Sequence, residues 1–213
     1  APGGCPWDAE QTHESIRRNF LEETCEAVEA IDNHDMPALC EELGDVLMQV
    51  IFHAQMEAEV GGFTMRDVID GLCRKLVYRH PHVFSDVKVA NSDEVLTNWE
   101  ALKRQEKAQR STADAIDAVA KTLPALWRAE KMESKAAKAG FAWPEGSDGA
   151  LRKLEEEVGE LRAAVESGSV DGRHGVREEV GDVLFMAAQV AQSHGVDPEA
   201  ALHAACDKFA RRF

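Results

Sequence analysis

The chain has 213 residues, 44 % of them hydrophobic, enough for one large domain or two small ones around a sizeable core. Its 39 acidic residues outweigh 24 basic ones, giving a formal net charge of −15; this excludes a surface built to hold a nucleic-acid polymer, whose phosphates need Lys and Arg to neutralise them. No apolar run approaches the roughly 18 residues that span a membrane, and no secretory leader is visible.

Apolar residues recur at helical spacing along almost the whole chain. A first helix is predicted from near Gln11 to Asn33. Asp35 is placed to cap a second, with Pro37 in its first turn and Leu39, Leu43, Val46, Leu47, Val50 and Ile51 along it; Gly61-Gly62 ends it. Thr64 and Asp67 form a capping pair for a third helix, which Pro81 stops after His80. Residues 81–92 read as a loop, followed by a helix around Trp99 and a polar connector near Arg110–Thr112. One long Ala-rich helix is then predicted to about Lys138, with a loop over Gly140-Phe-Ala-Trp-Pro-Glu-Gly-Ser. Three more helices follow at about 148–167, 174–194 and 198–212, the last opened by Asp197-Pro198.

An internal repeat organises these elements. Leu21-Glu-Glu-Thr-Cys-Glu26 echoes Glu155-Glu-Glu-Val-Gly-Glu160, and Glu41-Glu-Leu-Gly-Asp-Val-Leu47 echoes Glu178-Glu-Val-Gly-Asp-Val-Leu184. Lys75-Leu-Val-Tyr-Arg79 echoes Lys208-Phe-Ala-Arg-Arg212. Glu22 lies 134 residues before Glu156, Glu42 137 before Glu179 and Lys75 133 before Lys208, so only short loop changes separate the copies. The expectation is an all-α protein, a tandem repeat of two helical bundle domains at 1–110 and 111–213.

The chemistry-bearing signal is Glu-Glu-x-x-Glu on one helix and Glu-x-x-Asp on the next. In the first copy these are Glu22, Glu23, Glu26, Glu42 and Asp45; in the second, Glu156, Glu157, Glu160, Glu179 and Asp182. Residues three and four apart share a helix face, so antiparallel packing would converge four carboxylates. Their repulsion calls for a divalent cation. An all-oxygen set with no His or Cys at matching spacing points to Mg²⁺ or Mn²⁺. A solvated acidic face is the alternative for one such motif; the same two-part pattern occurring twice, in the same order, favours metal.

Basic partners accompany it. Lys75 and Arg79, like Lys208 and Arg212, lie one turn apart and could neutralise phosphates. Lys153 precedes Glu157 by one turn, where the first copy has Asn19; Lys103 is a weaker candidate. Trp7, Trp99, Trp127 and Trp143 read as core packing rather than base-stacking residues. Glu10-Gln-Thr-His13 matches the Glu-x-x-His of di-iron bundles, but it occurs once, near an end, and reads as chance. Cys5, Cys25, Cys40, Cys73 and Cys206 form no Cys-x-x-Cys pair and read as buried or idle thiols in a reducing cytoplasm.

On these residues the chain resembles the MazG family of all-α nucleotide pyrophosphohydrolases, whose signature is Glu-Glu-x-x-Glu…Glu-x-x-Asp. Cys5-Pro-Trp-Asp8, Gln11-Thr12, Leu21-Glu-Glu and Arg79-His-Pro-His-Val-Phe84 resemble a first MazG domain. Leu123-Pro-Ala-Leu, Gly140-Phe-Ala-Trp143 and Lys208-Phe-Ala-Arg-Arg-Phe213 resemble a second. The resemblance implies Mg²⁺-dependent hydrolysis of (deoxy)nucleoside triphosphates to monophosphate and pyrophosphate by a homodimer. It implies Glu157, Glu160, Glu179 and Asp182 as metal ligands, with Glu156 assisting, and Lys153, Lys208, Arg212 and Lys103 on phosphates. In the first copy the corresponding metal positions are Glu23, Glu26, Glu42 and Asp45, and Asn19 makes that copy the less certain catalyst. Two other readings stand beside it. One is a catalytically silent metal-binding or partner-binding scaffold; the other is a narrow-range deoxyuridine triphosphate or phosphoribosyl-ATP pyrophosphohydrolase.

Overall fold

The computed structural model describes residues 3–106, 111–141 and 147–213. Trp143 therefore lies outside the described residues, as do Arg110 of the expected connector and most of the loop after Gly140. Among the described residues the chain is helical, with no strand. It divides into two compact units, Ala1–Leu102 and Lys103–Phe213.

The first unit begins with the short α1 (Pro6–Ala9) and the longer α2 (Arg17–Asp32). The helix expected from Gln11 starts six residues later because polar side chains claim the backbone first. Thr12 N–H donates to Ser15 Oγ at 2.9 Å, Ser15 N–H donates to Thr12 Oγ1 at 3.2 Å, and Ser15 Oγ donates to Gln11 Oε1 at 2.8 Å. Such local bonds compete with the helical ladder. Asp35 caps α3 (Met36–Glu59) by accepting from Ala38 N–H at 3.0 Å, and α3 folds back along α2 through a three-residue connection. Thr64 and Asp67 form a reciprocal capping box on α4 (Met65–Arg79). Pro81 ends that helix and opens a single turn, α5 (Pro81–Phe84), where a plain loop is expected from the sequence. The helix around Trp99 is α6 (Ser92–Glu106).

In the second unit the single Ala-rich helix expected to reach Lys138 is broken. Ser111 caps a short α7 (Thr112–Asp117), and α8 (Ala125–Lys138) begins after Pro124. Proline has no N–H to give and its ring clashes with the preceding turn. Next come α9 (Ser147–Ser167), α10 (Val176–Ser193) and α11 (Pro198–Ala210). α9 packs along α10, repeating the α2–α3 pairing, and α8 covers α10. Asp197 caps α11 by accepting from Glu199 and Ala200 N–H, and also accepts from Trp127 Nε1 at 3.0 Å.

Small residues let the paired helices approach. Ala54, Ala150 and Ala188 are each at most 2 % exposed. Larger side chains such as Leu43, Leu47, Ile51 and Leu184 stay about half exposed. Trp7, expected in the core, is 55 % exposed. All five cysteines are free and exposed, so of the two expected alternatives, buried or idle, burial does not hold. No described helix is long and apolar enough to cross a membrane.

Candidate active site

The α9–α10 pair assembles the second copy of the acidic motif. Lys153, Glu157 and Glu160 fall on one face of α9, at spacings of four and three, and α10 presents Glu179 and Asp182. Oxygens of Glu157, Glu179 and Asp182 lie within 4.8 Å of one another. Glu157 is 7 % exposed and Glu179 1 %. Glu179 Oε2 is buried with no hydrogen-bond partner. A buried carboxylate oxygen without a partner is costly.

Lys153 stands at the rim of the trio. Its Nζ lies 2.9 Å from both Glu157 Oε1 and Glu156 Oε1, and these two hydrogen bonds, Glu157's above all, raise its pKa. Asp182 is pushed above the usual carboxylate range, first by burial and then by the charges of Glu157 and Glu179. Glu160 stands apart from this trio. Its oxygen groups instead with Glu179 and with His174, a residue of the loop between α9 and α10.

The first copy assembles differently. Glu23, Glu26 and Glu42 come within 4.8 Å of one another, whereas Asp45 lies outside that trio. Partial burial and then the Asp45 charge push Glu23 upward; partial burial and then Glu26 push Glu42 upward. None of the three is buried, so water screens this cluster more than that of Glu157 and Glu179. Asn19 supplies no cation beside it.

The other basic candidates lie on α4, α6 and at the end of α11. Arg79 is buried, its guanidinium 5.2 Å from the centre of the Trp99 ring. Lys75 on α4, Lys208 on α11 and Arg212 just beyond it are exposed, and among the described residues no ion pair joins them to the acidic clusters. Lys103 lies near the end of α6.

Two groupings escape the sequence reading. His174 is one, sitting in Asp171-Gly-Arg-His-Gly175; a histidine framed by glycines just ahead of an acidic helix is the signal that could have found it. The other is a chain of three side chains. His13 Nε2 lies 2.9 Å from Glu57 Oε1, and His13 Nδ1 lies 2.6 Å from His53 Nδ1. The two imidazoles stack at 4.9 Å beside a cavity of about 530 Å³ shared with Phe20 and Phe63. Burial, and then His13, lower the His53 pKa. Only His13 had drawn notice, in a pattern read as chance; 40 residues separate the two histidines, beyond any local motif.

Comparison with known proteins identifies the family. The family profile described as the MazG nucleotide pyrophosphohydrolase domain matches residues 11–84 and 146–213, the segments that hold the two acidic motifs. A protein of Escherichia coli named nucleoside triphosphate pyrophosphohydrolase is 42 % identical over 210 residues, covering 99 % of this chain and 79 % of its own. A Thermotoga maritima protein named nucleoside triphosphate pyrophosphohydrolase/pyrophosphatase MazG is 41 % identical over 213 residues, covering 100 % and 79 %. YabN of Bacillus subtilis, whose own role is uncharacterised, is 47 % identical over 212 residues, but the match takes up only 42 % of its length.

Proposed function

The chain belongs to the MazG nucleotide pyrophosphohydrolase family, and from that premise we propose that it hydrolyses nucleoside triphosphates between the α- and β-phosphates, releasing monophosphate and pyrophosphate. The observation that carries the proposal is the trio of buried Glu157, buried Glu179 and exposed Asp182, with Glu179 Oε2 lacking a partner. Carboxylate oxygens fit a hard divalent cation, Mg²⁺ or Mn²⁺. Glu157, Glu179 and Asp182 would hold it. Such an ion, when bound, lowers the pKa of water and neutralises phosphate oxygens.

The chain's own residues do the rest. Lys153, held in place by Glu156 and Glu157, keeps a positive charge beside the cluster, where a phosphate oxygen would need it as charge develops. A carboxylate of the cluster accepts the proton of the attacking water. The second unit is therefore the catalytic one, and Glu23, Glu26, Glu42 and Asp45 form a more exposed, subsidiary site. Lys75, Lys208, Arg212 and Lys103 are the further cations that would meet the triphosphate. Half-exposed apolar side chains on α3, among them Leu43, Leu47 and Ile51, support association into a homodimer. A cytoplasmic nucleotide-pool role suits this chemistry.

The test is incubation with mixed nucleoside triphosphates, with Mg²⁺ or with chelator, and identification of the products. Monophosphate plus pyrophosphate, formed only with the metal, is the expected result. Diphosphate plus orthophosphate, or full turnover after thorough chelation, would overturn the proposal.

A further inference from the structure

Glu57, His13 and His53 form a hydrogen-bonded chain in the first unit that has no part in its acidic cluster. His13 belongs to residues 11–16, the turn ahead of α2, and the other two lie one turn apart on α3. Glu57 Oε1 lies 2.9 Å from His13 Nε2, and His13 Nδ1 lies 2.6 Å from His53 Nδ1. Counted forward by the 137 residues that separate Glu42 from Glu179, His53 meets Val190 and Glu57 meets His194, so the chain is not duplicated.

The protons on this chain can be counted. An ionised carboxylate only accepts, so His13 Nε2 carries a proton. A neutral imidazole has one N–H and one accepting nitrogen, whereas an imidazolium has two N–H groups and no acceptor. At 2.6 Å one Nδ1 donates and the other accepts. The accepting ring must be neutral, so the pair holds at most one positive charge while it stays closed. The neighbours do not change this count. Phe20 of α2, Val50 and Ala54 of α3, Val68 of α4 and Phe63 ahead of it line the same cavity, and none of them titrates. Glu14 is held below the usual carboxylate range by backbone and Thr12 hydrogen bonds, and in smaller part by the charge of His13. Glu57 is wedged against the turn after α3, its Oε2 filling the place where a Cβ on Gly62 would stand.

We propose that Glu57, His13 and His53 form a proton-controlled latch. With one charge or none on the imidazole pair, His13 ties residues 11–16 to α3. A second charge sets two N–H groups against each other, separates the rings, frees the turn and opens the cavity of about 530 Å³ beside it. Burial, and then His13, already hold the His53 ring below the usual imidazole range. The closed form's stability is therefore fully present above about pH 6.5, the ordinary imidazole value, and is lost as pH falls below it. The latch is independent of the cation site proposed above.

The test uses the full chain in chelator, wild type beside His53→Asn and His13→Ala. The asparagine amide can donate to or accept from His13 where His53 Nδ1 stands, yet takes up no proton, and its helix propensity is close to that of histidine. Hydrogen exchange of residues 11–20, read by mass spectrometry and normalised to the intrinsic rate at each pH, measures the opening. In wild type the opening should grow severalfold as pH falls from about 7.5 to about 5.5, by at most about tenfold per pH unit, the limit for one proton. In His53→Asn it should stay low and flat; in His13→Ala, high and flat. Nitrogen-15 shifts of the wild-type histidine rings give a second readout, and the second charge on the pair should arrive together with the loss of protection. A wild-type opening that ignores pH, or a pH response that persists in His53→Asn, overturns the proposal. So do two charged rings while residues 11–20 stay protected. The wild-type measurements decide even where a variant fails to fold, which circular dichroism would show.

Discussion

Replacing Glu179 with Gln keeps the volume and an acceptor for His174 Nδ1 but removes the buried charge. Glu179 Oε2 is buried with no protein partner, a situation that costs about 1–3 kcal/mol for a polar group and more for a charged one. The amide also leaves a polar group poorly satisfied, so only part of that cost is recovered, on the order of 1 kcal/mol. For a chain of 213 residues this corresponds to a Tm higher by about 2–4 °C in chelator. With metal the order reverses. A cation present at 100 times its Kd adds about 2.7 kcal/mol to the folded state, or about 5–11 °C by the same conversion, and the variant should lose that increment. Thermal melts of both proteins, in chelator and across a Mg²⁺ titration, measure the two effects together. A Glu179→Gln variant that is less stable than wild type without metal, yet gains as much from Mg²⁺, would refute the reasoning that this carboxylate is built around a cation.

Three further outcomes follow from the same structure. Glu157→Ala or Asp182→Ala should lower kcat by at least about two orders of magnitude, and Glu23→Ala or Asp45→Ala by much less; steady-state kinetics on the four folded variants decides, and dead first-copy variants beside active second-copy ones would reverse the assignment. Asp197 caps α11, and its pKa is lowered chiefly by the Ala200 N–H it accepts, with Trp127 helping. Its stabilisation is therefore present above the ordinary aspartate value and fades as pH falls through the lower folded one. Asp197→Ala should cost about 0.5–2 kcal/mol near neutrality and progressively less below about pH 4, read from denaturant melts; a penalty independent of pH contradicts this. Light scattering at micromolar concentration should give twice the chain mass of 23.4 kDa, and a monomer mass counts against the dimer.

Much of this architecture is written in short-range chemistry. Asp35, the Thr64–Asp67 pair and Asp197-Pro198 each specify a helix start by a local hydrogen bond, and all are legible in a few letters. The duplication exposes the acidic helices because two copies of one pattern are hard to obtain by chance. What the sequence hides depends on distance or on competition. The start of α2 is decided by Gln11, Thr12 and Ser15 bonding among themselves, which apolar periodicity does not register. The grouping of His13 with His53 needs α3 folded back toward the start of α2. His174 lies in a loop with a left-handed backbone, 3.3 Å from Glu179, a placement no local motif encodes. Equal motifs also yield unequal sites. Glu157 and Glu179 are buried where Glu23 and Glu42 are not, and that contrast arises from packing around the motif rather than from the motif itself.

The central claim is attack by water on the α-phosphorus, and turnover in ¹⁸O-labelled water tests it most directly. Mass spectrometry of the products from a single nucleoside triphosphate, with Mg²⁺ present, should find the label in the monophosphate and none in the pyrophosphate. Label in the pyrophosphate would mean attack on the β-phosphorus, and would contradict the account.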